Sequence, residues 1–254
     1  MADEGSIDLL SGGFTRGQLS GLEQKMVLQV FSKYVASVDG MVNDGKEATV
    51  YLCRGHHPDE FLAAKVYRDR RFRAFANDAH YTDPGRIGDR RLAKAIKKRS
   101  KVGRRASHHL WIDREWQALR TLYQAGASVP RPVDHAPNAV LMELVGSGGV
   151  AAPMLAHVRL GPSEAERVLK AVMDDVETML ACELVHGDLS AYNILYHDGC
   201  PRLIDLPQSV DLNDAVDGWS LFYRDIENIT GYFEKQGLKV ETLDVAMKLW
   251  HRYS

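Results

Sequence analysis

The chain has 254 residues, with 32 Lys and Arg against 34 Asp and Glu, a formal net charge of −2, and 45% hydrophobic and 26% charged residues. This ordinary globular composition excludes a collagenous, low-complexity or largely disordered chain, and the length holds one large domain or two small ones around a true core. Three distant cysteines (Cys53, Cys182, Cys200) without a CxxC pair argue against a disulfide scaffold or a zinc ribbon. No apolar run reaches the ~18 residues of a membrane span, and MADEGSIDLLSGGFTRG has neither the basic nor the apolar region of a signal peptide. The expectation is a cytoplasmic chain with no membrane partner.

Residues 1–22 are rich in Gly and Ser and are expected to fray. Residues 23–38 (EQKMVLQVFSKYVASV) read as a short amphipathic helix, and 48–52 and 62–67 as the strands of a hairpin across RGHHPDE. From 68 to 105 there are fourteen Lys and Arg against four Asp, a local charge of +10 that leaves −12 on the rest. With few large aliphatics this stretch should be a loop. It is either a solvated charged face or an electrostatic landing site for phosphates, nucleic acid or an acidic partner. Residues 110–125 return to helical spacing, with Trp111, Trp116, Leu119 and Leu122 able to share a face. SVPRPVDHAPN reads as a connector, 139–145 as a buried strand, and GSGGVAAP as a linker.

A helix follows, marked by a capping box of Ser163 and Glu166 and by a stripe of Val168, Leu169, Val172, Met173, Val176, Met179 and Leu180. Residues 193–196 and 202–205 flank an Asp198-Gly199 turn, a hairpin signal. From Trp219 onward the chain reads as helices. The expected fold is α+β, with a small β-rich lobe carrying one helix and a helical lobe with a hairpin at its mouth.

The chemistry concentrates in His186-Gly187-Asp188-Leu189-Ser190-Ala191-Tyr192-Asn193. Phosphoryl transfer needs a carboxylate to take the nucleophile's proton and oxygen ligands for Mg²⁺. Asp188 fits the first need; Asn193 and Asp205, brought together by the hairpin, fit the second. Ala63-Ala64-Lys65-Val66 sets one lysine in an apolar strand, where burial demands a partner. Glu115 on the following helix is the candidate, and such a pair positions the ammonium on ATP phosphates. Upstream, Asp44-Gly45-Lys46-Glu47 is a turn entering a strand, where Gly45 lets the backbone approach phosphate.

DGKEATVY, AAKVY, LMELVG, LVHGDLSAYNIL and LIDLPQSVD resemble segments of the RIO-type atypical serine/threonine kinases. The resemblance runs from about Met41 to near the C-terminus. The short stretch before Asn43 fits the type-one-like branch, which lacks a winged helix. It implies a trimmed bilobal protein-kinase-like fold, with an N-terminal extension over 1–40, an N-lobe over 41–145 that includes a flexible loop over 68–107, and a C-lobe over 146–254. It implies ATP with Mg²⁺ or Mn²⁺. Lys65, Asp188 and Asp205 would be the catalytic set. Gly45, Lys46, Glu47, Lys65, Glu115, Asn193 and Asp205 would bind the nucleotide, with Asn193 and Asp205 as metal ligands. Met142 would be the gatekeeper, with Glu143 and Val145 offering backbone groups to adenine. Asp225 would anchor the catalytic loop. Gly187 stands where ordinary kinases have the Arg of HRD, and Asp205-Leu206-Pro207 replaces DFG. The implied reaction is transfer to serine or threonine of a protein, the chain itself included, or an ATPase switch. RNA or a ribosomal partner would meet residues 68–105. The alternative is a small-molecule phosphotransferase of the aminoglycoside or choline kinase kind, which shares HGDLxxxN.

Overall fold

The computed structural model describes residues 16–68, 101–206, 210–211 and 218–253. The expectations for residues 1–15, for most of the basic stretch and for Pro207 lie outside the described residues. Five antiparallel strands, β1 (Val35–Asp44), β2 (Ala48–Gly55), β3 (Phe61–Tyr67), β4 (Pro132–Ala136) and β5 (Ala139–Glu143), form one sheet in the order β1-β2-β3-β5-β4.

Side chains alternate across a strand, so this sheet sorts its residues onto two faces. Tyr51, Cys53, Leu62, Ala64, Val66 and Leu141 pack with Val27 and Phe31 of helix α1 (Arg16–Val30). Ala48, Tyr67 and Val140 pack with Ile112, Trp116, Leu119 and Leu122 of helix α2 (Lys101–Gln124). Lys65 has the parity of Tyr67, so the strand itself turns the lysine toward α2.

The first half departs from expectation in four places. The helix expected over 23–38 begins at Arg16, inside the stretch expected to fray, and ends at Val30, with β1 starting at Val35. Phe31 closes the helix, its N–H donating to Val27 and its carbonyl accepting from Tyr34 and Val35. Beyond it, pairing with β2 overrides any helical preference, with three register shifts along the ladder. The Pro-rich connector contains β4, an edge strand opened by Pro132, where a missing N–H does least harm. The Gly-rich linker is a small hairpin of β6 (Gly146–Ser147) and β7 (Val150–Ala151), turned through Gly148 and Gly149 at φ +59° and +80°. Lastly, the basic stretch becomes helical from Lys101, earlier than the loop reading allowed.

Helix α3 (Pro162–Ala181) buries Val168, Val172, Val176, Met179 and Leu180, as its stripe requires. The capping box does not form. The N-cap is Gly161 and Pro162 occupies the first turn, where its fixed φ already suits a helix. The short strand β8 (Leu184–Val185) pairs with β11 (Val210–Asp211). Between them β9 (Ile194–His197) and β10 (Cys200–Leu203) form the expected hairpin, with Asp198 and Gly199 both at positive φ. Helices α4 (Gly218–Lys235) and α5 (Thr242–Tyr253) close the lobe. Trp219, Phe222 and Trp250 meet between them with ring centroids 5.3–6.1 Å apart. No helix among the described residues is long and apolar enough to cross a membrane.

Phe233 is fully buried in the larger core. Phe233→Ala should lower unfolding free energy in urea by about 3–5 kcal/mol, whereas Leu243→Ser on the exposed face of α5 should stay within about 0.5 kcal/mol. Equal losses would contradict this division between core and surface.

Candidate active site

The centre of the site is one ammonium between two carboxylates. Lys65 Nζ lies 2.7 Å from Glu115 Oε1 and 2.6 Å from Asp205 Oδ1. Sheet parity aims Lys65, and the buried face of α2 brings Glu115, which is only 3% exposed. Burial disfavours the ammonium, but Asp205 and Glu115 outweigh it and raise its pKa, so Lys65 stays charged. Burial would likewise push the Asp205 carboxyl up, yet Lys65 holds it below the ordinary value. At Glu115 burial wins and the pKa rises, with Lys65 opposing and the charges of Asp205 and Glu47 adding.

Asp205 reaches this position through its backbone. It sits at φ +67°, a left-handed conformation that costs a residue with a side chain about 1–3 kcal/mol. Its neighbours hold it there: Ile204 donates its N–H to the Asn193 carbonyl at 2.9 Å, and Leu206 is buried. The same hydrogen bond fixes Asn193 beside the Asp205 turn.

The loop ahead of the hairpin is held by α4. Buried Asp225 accepts the N–H groups of Gly187 at 2.7 Å and Leu189 at 2.8 Å. Arg224 donates to the Gly187 carbonyl, and Asn228 Nδ2 to the Leu189 carbonyl at 3.1 Å. Gly187 itself is at φ +80°, which suits glycine where ordinary kinases carry arginine. Buried His186 lies with Nε2 3.2 Å from the Ile204 carbonyl, so that nitrogen carries the proton. Burial lowers the His186 pKa and keeps the ring neutral. Asp225 thus sits where an anchor for the loop should. Sequence motifs do not single out Asn228; its one signal is a position one helical turn after Arg224 beside an apolar stripe.

Asp188 is thereby left with its carboxyl exposed at the mouth. Desolvation by the surrounding protein pushes its pKa up, and the charge of Asp205 adds to the rise. Asn193 Nδ2 donates to the Asp188 carbonyl at 2.7 Å and lies 3.4 Å from Oδ2. With its NH₂ facing Asp188, the amide oxygen of Asn193 points away from that carboxylate.

At the sheet end of the site, Gly45 donates to the Ala48 carbonyl at 3.0 Å, and a Cβ there would come within 3.3 Å of that oxygen. Lys46 is exposed, and Glu47 accepts the Arg68 N–H at 3.0 Å. Asp44 pairs with Arg68 and accepts Thr49 Oγ1 at 3.2 Å, which fixes the turn's entry. On β5, Met142 is paired with Ala63 of β3, on the same face as Lys65. Glu143 donates its N–H to the Arg131 carbonyl at 2.9 Å, and Val145 accepts the Ala152 N–H at 2.8 Å.

The structure therefore gathers Lys65, Glu115, Asp205, Asn193 and Asp188 at one place, with Glu47 near enough for its charge to reach Glu115. Two of these carboxylates, Glu115 and Asp205, share the one ammonium of Lys65. Among the described residues no group of three or more His, Cys, Asp or Glu is placed to hold a metal. Asp205 and the amide oxygen of Asn193 are hard oxygen donors of the kind Mg²⁺ takes in small number, with phosphate oxygens completing its shell.

The family model for the RIO domain matches residues 49–246. The chain is 29% identical over 205 residues to the serine/threonine-protein kinase RIO1 of Caenorhabditis elegans, covering 80% of this chain and 38% of that one. It is 31% identical over 205 residues to the RIO-type serine/threonine-protein kinase Rio1 of Haloferax volcanii, covering 80% of this chain and 66% of that one. The chain thus spans less than half of the first relative and about two thirds of the second. Among solved structures, the Rio2 kinase of Chaetomium thermophilum in complex with ADP, Mg²⁺ and phosphoaspartate matches with a TM-score of 0.63 at 21% identity, over 92% of this chain and 67% of that one. That likeness shows the fold, a trimmed bilobal kinase-like arrangement of a β-rich and a helical lobe. With the motif order, the site geometry and a family model matched over most of its length, the chain belongs to the RIO domain family.

Proposed function

We propose that the chain transfers the γ-phosphoryl group of ATP to serine or threonine hydroxyls of protein, its own included. The observation that carries this reading is Lys65 Nζ, 2.7 Å from Glu115 and 2.6 Å from Asp205. A buried ammonium held at a cleft with surplus carboxylates suits a polyphosphate that arrives with a divalent cation. The family match sets the small-molecule phosphotransferase reading aside.

The roles follow from position. Glu115 fixes Lys65, whose ammonium meets the nucleotide's inner phosphates. Gly45, Lys46 and Glu47 form the turn beside those phosphates. Met142 borders the base, with backbone groups of Glu143 and Val145 alongside. Asp205 and Asn193 would hold Mg²⁺, or Mn²⁺ in its place, which supplies charge neutralisation across the phosphates. Asp188 accepts the proton of the acceptor hydroxyl as its oxygen attacks the γ-phosphorus. The bond to the bridging oxygen breaks, and ADP leaves with the electron pair. Desolvation and the charge of Asp205 raise the Asp188 pKa, which improves the carboxylate as a proton acceptor. Asp205 is also the carboxylate on which a transient acyl phosphate would form if the chain works as an ATPase switch. The lobes divide near residue 145, and the basic stretch over 68–105 supplies a contact for RNA or a ribosomal partner. A cytoplasmic setting accords with three cysteines that form no disulfide.

Incubation with γ-labelled ATP tests the reaction. Label should appear on serine or threonine of the chain, and any acyl phosphate should be removed by hydroxylamine. Asp188→Asn should keep ATP binding and lower turnover by about 100-fold to 10,000-fold. The acid limb of kcat should lie above the ordinary Asp value, because activity needs the ionised form and the pKa is raised. That limb should vanish from the residual rate of Asp188→Asn. Near-wild-type turnover in this variant, or label passing only to small molecules, would contradict the reading.

The partner proposal has its own test. Binding of structured RNA should weaken with salt at about 0.9 in log affinity per log salt for each phosphate contact, the duplex-DNA value. Changing Lys97, Lys98, Arg99 and Lys101 to Ala should flatten that slope. Equal slopes would return the stretch to a solvated face.

A further inference from the structure

Asp175 is a buried acidic residue with no part in the chemistry above. It interrupts the apolar stripe of α3 between Val172 and Val176 and is only 5% exposed. Its Oδ1 accepts the Ser128 N–H at 2.7 Å. The Ser128 carbonyl in turn accepts the N–H of Leu203 at 2.8 Å. Leu203 is the last residue of β10, just ahead of Asp205.

The other side of Ser128 is equally constrained. Helix α2, which carries Glu115, ends in a Schellman motif: Ala127 donates to the Leu122 carbonyl at 3.0 Å, Gly126 donates to Tyr123 at 3.2 Å, and Gly126 is at φ +86°. Leu122 and Ala127 are both buried, so little slack remains between the helix and Ser128.

Stability gives a poor account of this carboxyl. Burial pushes its pKa up, with the Ser128 bonds and the charge of Arg202 opposing. Its Oδ2 is buried with no hydrogen-bond partner among the described residues. A buried acid in that state destabilises relative to a well-packed apolar residue.

We propose that Asp175 is a positioning residue, which ties the end of the Glu115 helix to the strand that delivers Asp205 and so sets the spacing of the two carboxylates that share Lys65. The tether joins both lobes at a point removed from the β5–β6 connection. The inference rests on the phosphoryl-transfer reading for its kinetic consequence, but the tether itself can be read without turnover.

The test uses Asp175→Leu, which fills the apolar site but releases Ser128, and Asp175→Asn, whose amide oxygen can still accept the Ser128 N–H. Asp175→Leu should remain folded and lower kcat by about 10-fold to 100-fold, the scale expected of a small misplacement of reacting groups. KM for ATP should move far less. Asp175→Asn should recover most of the loss. On top of Glu115→Gln, Asp175→Leu should add less than about 2-fold, since both changes damage one unit. An unchanged kcat, a loss undiminished in the double variant, or no recovery with Asn overturns the proposal. Hydrogen exchange at the Leu203 amide, measured without nucleotide, should be faster in Asp175→Leu. Unchanged exchange overturns the tether whatever the kinetics give. If the wild type fails to turn over ATP, that result counts against the phosphoryl-transfer reading, and the exchange measurement still decides the tether.

Discussion

A lysine in the middle of a packed strand cannot be left alone. Its ammonium loses most of its hydration, and only carboxylates brought to hydrogen-bonding distance can keep it charged there. Lys65 obtains them from positions 50 and 140 residues away. That demand shapes the architecture around it. A helix must cross the sheet face with a buried glutamate, and a hairpin from the second half must end where its aspartate can reach the same nitrogen. Two carboxylates then share one ammonium, an arrangement that suits a polyphosphate accompanied by a metal ion.

Around that centre the molecule uses backbone fixation more than side-chain bulk. Asp225, Arg224 and Asn228 on one helix take up the N–H and carbonyl groups of the loop over 186–189, which leaves Asp188 projecting from a rigid support. Asp205 is placed by a left-handed backbone between an anchored Ile204 and a buried Leu206. Both devices fix carboxylates in position in advance, so the proposed phosphoryl transfer would need less reorganisation.

Much of this was legible in the sequence because the chemistry constrains residue types at short range. A lone lysine among alanines and valines announces its need for a partner, and an Asp five residues ahead of an Asn and a hairpin announces a polar loop with a fixed return. The local geometry was harder to read. The first residues of β1, 35–38, resemble the end of an amphipathic helix until β2 is there to pair with them. Pro132 looks like a strand breaker until β4 proves to be an edge strand. Ser163 and Glu166 have the spacing of a cap, but Pro162 starts the helix two residues too early for them. Asp175 was the least visible, because a single acid inside an apolar stripe reads as a polar lapse on a helix face. Its meaning lies in Ser128 and Leu203, which only the folded chain brings to it.

We propose that Lys65, shared by Glu115 and Asp205, would pass from Asp205 to the phosphates when Asp205 holds a metal. ATP affinity measured by calorimetry with and without Mg²⁺, in the wild type and in Asp205→Asn, tests it most directly. The wild type should bind ATP more tightly as Mg²⁺ is added. Asp205→Asn should lose that dependence and should bind metal-free ATP at least as well as the wild type, because the phosphates no longer compete with a carboxylate for Lys65. An unchanged Mg²⁺ dependence in Asp205→Asn, or weaker metal-free binding than in the wild type, would contradict the account.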